Sequence, residues 1–168
     1  MVQGMDARTI RAWALVIGWA VLVWGFGGDG FSQQQTSSFL GPLIRWLFPD
    51  ISYSEIYQVQ LFVRKSAHVF EYGLLAILTL RAILLGRPAS LAMSAGLTMA
   101  IIVTFATADE TRQGFSSDRA GSVWDALLDS AAAVVAIGIL LFLRRRFGLG
   151  SDDLVAPPLA DRVAEEEI

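Results

Sequence analysis

Four apolar runs constrain this chain more than any other feature: residues 12–26, 67–85, 91–108 and 124–143. The last three hold roughly 18 to 20 residues each, or about 27 to 30 Å as helix, which matches the hydrocarbon thickness of a bilayer. A segment crossing lipid must satisfy its own backbone, so the runs predict an all-α, polytopic bundle of four transmembrane helices. Composition agrees. Only 17% of the 168 residues are charged, against about 25% in an ordinary soluble domain, and the mean hydropathy is +0.52. A water-soluble enzyme is therefore disfavoured. The absence of cysteine removes disulfides, thiolate metal sites and cysteine nucleophiles. The net charge of −3 carries no basic stripe, and no nucleic-acid partner is expected.

The first run, Ala12 to Phe26, ends in bulky Trp24 and Phe26 where a cleavable signal would need small residues, and it reads as an uncleaved anchor. Arg8, Arg11, Arg81, Arg87, Arg144, Arg145 and Arg146 all fall on one side of a four-span topology. The positive-inside rule makes that side cytoplasmic, with both termini on it, in a multi-pass inner-membrane protein. Arg45, Arg64, Lys65, Arg112 and Arg119 lie on the other side. Between the first two spans, residues 39–42 and 45–49 carry aromatics and prolines and read as an interfacial turn. Ser52 and Glu55 have the spacing of a capping box, followed by Ile56, Val59, Phe62 and Val63 at helical intervals. This predicts a short amphipathic segment on the outer leaflet, with a loop packed on the bundle as the alternative. Residues 1–147 form the expected membrane domain. Residues 148–168 form an acidic tail too poor in apolar surface to fold alone.

Ionisable residues interrupt three of the spans. His68 and Glu71 lie in the outer end of the second, Asp109 and Glu110 at the outer end of the third, and Asp125 and Asp129 in the outer end of the fourth. Such groups are costly in hydrocarbon and normally face a bundle interior or a wet cavity. Their common depth predicts one shared, outward-facing polar pocket. Lys65, His68, Glu71 and Tyr72 fall within about 120° of one helical face, and Asp125 and Asp129 are one turn apart. Each residue also has a plainer reading. His68 is either an acid, base or ligand, or an interhelical contact. Asp125, three residues after Ser122, has the spacing of a capping box. Lys65 and Arg64 fit interfacial anchors. Arg119 pairs with Asp118, Asp125 or Glu110, or meets a phosphate.

Several carboxylates with a histidine in a partly dehydrated site suit acid–base chemistry, because burial and like-charge repulsion separate their proton affinities. The mixed nitrogen and oxygen donors also suit zinc or manganese, but no HExxH or other compact metal motif is present. No metal ligand is assigned on sequence, and the cofactor is left open. Enzyme activity and oligomeric state are left open too. No GxSxG elbow, Walker loop or GxGxxG fingerprint is found.

Three blocks carry a family resemblance: K-x-x-H-x-x-E-Y at 65–72, D-E-x-x-Q-x-F at 109–115 and R-x-G-S-x-x-D at 119–125. Together, within residues 64–143, they resemble the VanZ-like family of small membrane proteins, whose name-giving member is associated with low-level resistance to the glycopeptide teicoplanin. The resemblance implies that Lys65, His68, Glu71, Tyr72, Asp109, Glu110, Gln113, Phe115, Arg119 and Asp125 are the motif residues. Asp129 departs from the pattern, which has Asn there, and makes the pocket more acidic. The resulting expectation is an envelope-facing pocket for a membrane lipid or lipid-linked precursor. His68, Glu71, Glu110 and Asp125 would be its reactive set, with Lys65, Tyr72, Asp109, Gln113, Arg119 and Asp129 as ligand contacts. The competing expectation is a non-enzymatic structural or partner-binding protein locked by an interhelical charge network.

Overall fold

The computed structural model describes residues 6–26, 33–86, 90–115 and 121–148. Five helices account for nearly all of them: α1 (Ala7–Phe26), α2 (Gln33–Leu47), α3 (Tyr53–Gly86), α4 (Leu91–Gly114) and α5 (Val123–Phe147). All but α2 are long and apolar enough to cross a membrane. The expected all-α polytopic bundle is the observed fold. Arg87, Asp118, Arg119 and the tail at 149–168 lie outside the described residues.

Helix α3 organises the bundle by packing against α5, α1, α4 and α2. Its buried face runs through Tyr72, Leu75, Ala76, Leu80 and Ala82 and meets Ile102 and Ala106 of α4, Ala133 and Ile137 of α5, and Ala12, Val16 and Val23 of α1. Small residues set the closest approach. A Cβ on Gly73 would lie 3.4 Å from the Ala136 Cβ and 3.9 Å from the Ala132 carbonyl, so α3 and α5 are nearly in backbone contact there. Helices in lipid gain little from apolar burial, which the lipid tails already supply, and associate through such close packing. The opposite faces stay apolar and exposed, as at Leu15, Ile17 and Leu22 of α1 and Val134, Val135, Ile139 and Phe142 of α5.

Side-chain bonds fix which helix ends lie together. Thr9 Oγ1 donates to the Leu85 carbonyl at 3.2 Å, joining the start of α1 to the end of α3. At the other end, Trp19 Nε1 donates to the Glu71 carbonyl at 3.0 Å, and Trp24 packs on Phe105 with ring centroids 5.6 Å apart.

Two features of the connecting segment differ from the sequence reading. Residues 39–42, expected as a turn, lie inside α2, with Pro42 in its interior. Proline removes one helical hydrogen bond, but α2 continues to Leu47 with Ile44 buried. The turn falls later, at Pro49 and Asp50. The amphipathic segment opened by Ser52 is not a separate short helix either: it runs without a break into the second span. Its capping box forms as expected. Ser52 Oγ and N–H both donate to Glu55 Oε2, at 2.6 and 2.9 Å, and Glu55 N–H donates back to Ser52 Oγ at 3.3 Å. Nothing between Tyr53 and Ala67 breaks a helix, so α3 reaches about 50 Å, well beyond the hydrocarbon core. Arg45 stacks over the Tyr53 ring at 4.0 Å, while Phe39, Trp46 and Phe48 are exposed, as suits a segment at the headgroup level.

Candidate functional site

Helix geometry alone brings three ionisable residues to one depth. His68 lies eighteen residues before the end of α3, Glu110 nineteen after the start of α4, and Asp129 eighteen before the end of α5. At 1.5 Å per residue all three sit about 27 to 29 Å from the opposite end of the bundle, at the boundary of a 30 Å core. They also converge laterally. One donor atom from each of His68, Glu110 and Asp129 lies within 4.8 Å of the others, and His68 Nδ1 is 3.3 Å from Asp129 Oδ1.

Contacts on either side hold this trio. Toward solvent, Lys65 Nζ donates to Asp125 Oδ1 and ties α3 to α5. The capping box expected at Ser122 and Asp125 is not formed, since the Ser122 side chain caps nothing. Instead Ser122 N–H donates to Glu110 Oε2 at 2.8 Å, linking the start of α5 to α4. Toward α1, Asp109 is 1% exposed and accepts three contacts. Arg112 Nη2 donates to its Oδ1 at 2.7 Å, while Gln113 Nε2 and, at a long 3.4 Å, the Tyr72 hydroxyl donate to its Oδ2.

Arg112 is the residue the sequence reading missed. It also donates to the Trp24 carbonyl at 3.0 Å and lies over the Trp24 ring at 4.6 Å, joining α1 to α4. The available signal was its i, i+3 spacing from Asp109, which counts only if the third span continues beyond Ala108. It continues to Gly114, because Asp109, Arg112 and Gln113 satisfy one another there.

The sequence-expected residues thus separate into groups. His68, Glu110 and Asp129 form the trio, Lys65 and Asp125 a pair beside it, and Tyr72, Asp109 and Gln113 a layer toward α1. Glu71 is not part of the trio and gives its carbonyl to Trp19. Phe115 caps α4 with its N–H and is exposed. The position of Arg119 lies outside the described residues.

Two cavities adjoin the trio. One of about 40 Å³ is lined by Leu61, Arg64, Lys65, His68, Asp125 and Leu128. A larger cleft of about 370 Å³ runs between α4 and α5, with Val103, Thr107, Ala126, Leu127 and Ser130 along it and Glu110 in its wall.

A bundle of four apolar spans with buried acids and an imidazole gathered at one end is an integral membrane protein. Residues 12–144 match the VanZ/LLP1 family, and the chain belongs to it. No curated protein and no solved structure matches the chain.

Proposed function

We propose that the polar end of the bundle binds an anionic lipid or lipid-linked precursor of the cell envelope. The α4–α5 cleft carries this reading. It is mostly apolar, faces the lipid side of two spans, and has a wall that includes Glu110 of the trio. An acyl chain lying in the cleft would bring its headgroup beside His68, Glu110 and Asp129, with Arg64, Lys65 and Arg119 as phosphate contacts. His68, Glu71, Glu110 and Asp125 remain the proposed reactive set, and Tyr72, Asp109 and Gln113 act as positioning residues. A link to teicoplanin resistance is a proposal from family membership alone, to be tested by susceptibility of a deletion strain with and without the gene.

The interhelical contacts favour a second reading. Lys65 with Asp125 and Tyr72 with Asp109 each bridge two helices, as a structural charge network would. Native mass spectrometry of the wild type beside His68→Ala and Glu110→Gln separates the two. On the lipid reading the wild type carries a phospholipid or polyprenyl-phosphate adduct that both variants lose while staying folded. Variants that fail to assemble, with no adduct on the wild type, would leave the network reading.

Arg8, Arg11, Arg81, Arg87, Arg144, Arg145 and Arg146 support an inner-membrane location with residues 1–147 as the membrane domain, a cytoplasmic tail, and the site facing outward. Reporter fusions at residues 1 and 168 are expected to be active only for a cytoplasmic enzyme reporter. Activity of a periplasmic reporter at either end would reverse the assignment.

A further inference from the structure

Glu110 and Asp129 lack the counter-charge that their neighbours have. Lys65 meets Asp125 and Arg112 meets Asp109. Among the described residues, Glu110 has no cation in ion-pair contact, and Asp129 has only His68. Both acids are more than nine-tenths buried. Glu110 Oε2 is taken by the Ser122 N–H, but Glu110 Oε1, both Asp129 oxygens and His68 Nδ1 are buried without a hydrogen-bond partner. Unpaired carboxylates at the edge of hydrocarbon are costly. An imidazolium supplies at most one positive charge against two negative ones, whereas a divalent cation balances both.

We propose that His68, Glu110 and Asp129 form a binding site for a first-row divalent cation of the zinc or manganese type. One imidazole with two carboxylates is a donor set that these ions accept. Metal–ligand bonds of about 2.0 to 2.2 Å place donors around one ion roughly 3 to 3.5 Å apart. The His68–Asp129 separation of 3.3 Å already fits, and the widest separation of 4.8 Å closes by side-chain rotation within the same pocket. The three ligands come from α3, α4 and α5, one from each, which is why no spacing motif along the chain reveals them. Three protein ligands leave coordination positions for water or an anionic oxygen. The adjoining 40 Å³ cavity, bounded by Arg64 and Lys65, offers room for such a group. The site shares residues with the lipid reading but does not depend on it.

The test uses full-length protein in nanodiscs, stripped with a chelator and titrated separately with zinc chloride and manganese chloride. Bound metal is then measured by atomic emission, and manganese also by its paramagnetic resonance spectrum. The wild type and Glu55→Gln, an exposed acid far from the trio, are expected to retain one ion per chain. His68→Ala and the nearly isosteric Asp129→Asn are expected to lose it while eluting as the wild type does. Should His68→Ala fail to fold, Asp129→Asn decides. Folded wild type that holds neither ion stoichiometrically, or Asp129→Asn that binds as the wild type does, overturns the proposal. Lipid adducts are scored in the same samples, so wild type that carries lipid but takes up neither ion on titration refutes the metal site alone.

Discussion

Asp109→Ala is expected to cost about 1 to 3 kcal/mol of bundle stability, the range for leaving buried donors without their acceptor, because Arg112 is 31% exposed and keeps part of its hydration. The carboxylate is almost wholly buried and joins Arg112, Gln113 and Tyr72. Alanine would take this acceptor from the buried Gln113 amide and Tyr72 hydroxyl, and an unsatisfied buried polar group carries the full cost of its lost hydration. The loss spreads beyond α4. Arg112 also holds the end of α1 through the Trp24 carbonyl and ring, so the variant should loosen α1 as well. Asp109→Asn keeps a carbonyl acceptor and is expected to lose distinctly less. Thermal unfolding in detergent, followed by circular dichroism and by tryptophan fluorescence, reads both effects, since Trp13, Trp19 and Trp24 all lie in α1. Equal stability of Asp109→Ala and the wild type would show that the Asp109 contacts contribute nothing net.

A single methyl group at Gly121 is expected to disrupt the site from the opposite side. An added Cβ would lie 2.1 Å from the Glu110 carbonyl oxygen, 2.8 Å from the Gly114 nitrogen and 3.0 Å from its Cα. All three are backbone atoms, so no side-chain rotation relieves the clash. The chain entering α5 must back away from the last turn of α4, and the Ser122 N–H then leaves Glu110. Overpacking of this kind costs about 1 to 3 kcal/mol, and here it also releases the carboxylate of one trio member. Gly121→Ala should therefore lower the melting temperature and weaken whatever ligand the trio binds. Gly138→Ala is the matched control, since an added Cβ there meets nothing within 4 Å. In mid-helix it is expected to be neutral or slightly stabilising. Similar melting temperatures for the two variants would mean that the α4–α5 junction yields easily.

Gly121 also marks the limit of what the sequence makes legible. Its place in the R-x-G-S block marked it as a motif position, but the reason only glycine fits is a contact with a backbone eleven residues earlier. The four spans were legible because lipid imposes length and apolarity on each segment separately, and both properties are local. The shared depth of His68, Glu110 and Asp129 was legible for the same reason, since helical rise converts residue number into height. The Ser52 and Glu55 box was equally local and formed as its spacing requires.

Rotation about each helix axis and pairing between helices are not local, and these the tertiary structure decided. It turned Asp125 toward Lys65 and left the Ser122 side chain without a capping role. It continued α4 beyond its apolar run, because Asp109, Arg112 and Gln113 satisfy one another there, and it ran the interfacial segment into α3 as one helix. It also gathered one imidazole with two carboxylates from two other helices. The sequence by itself determined how many times this chain can cross a membrane and at what height its charges stand. Only the packing of α3 against α4 and α5 decided which of those charges meet, because that choice rests on close contacts between residues far apart along the chain.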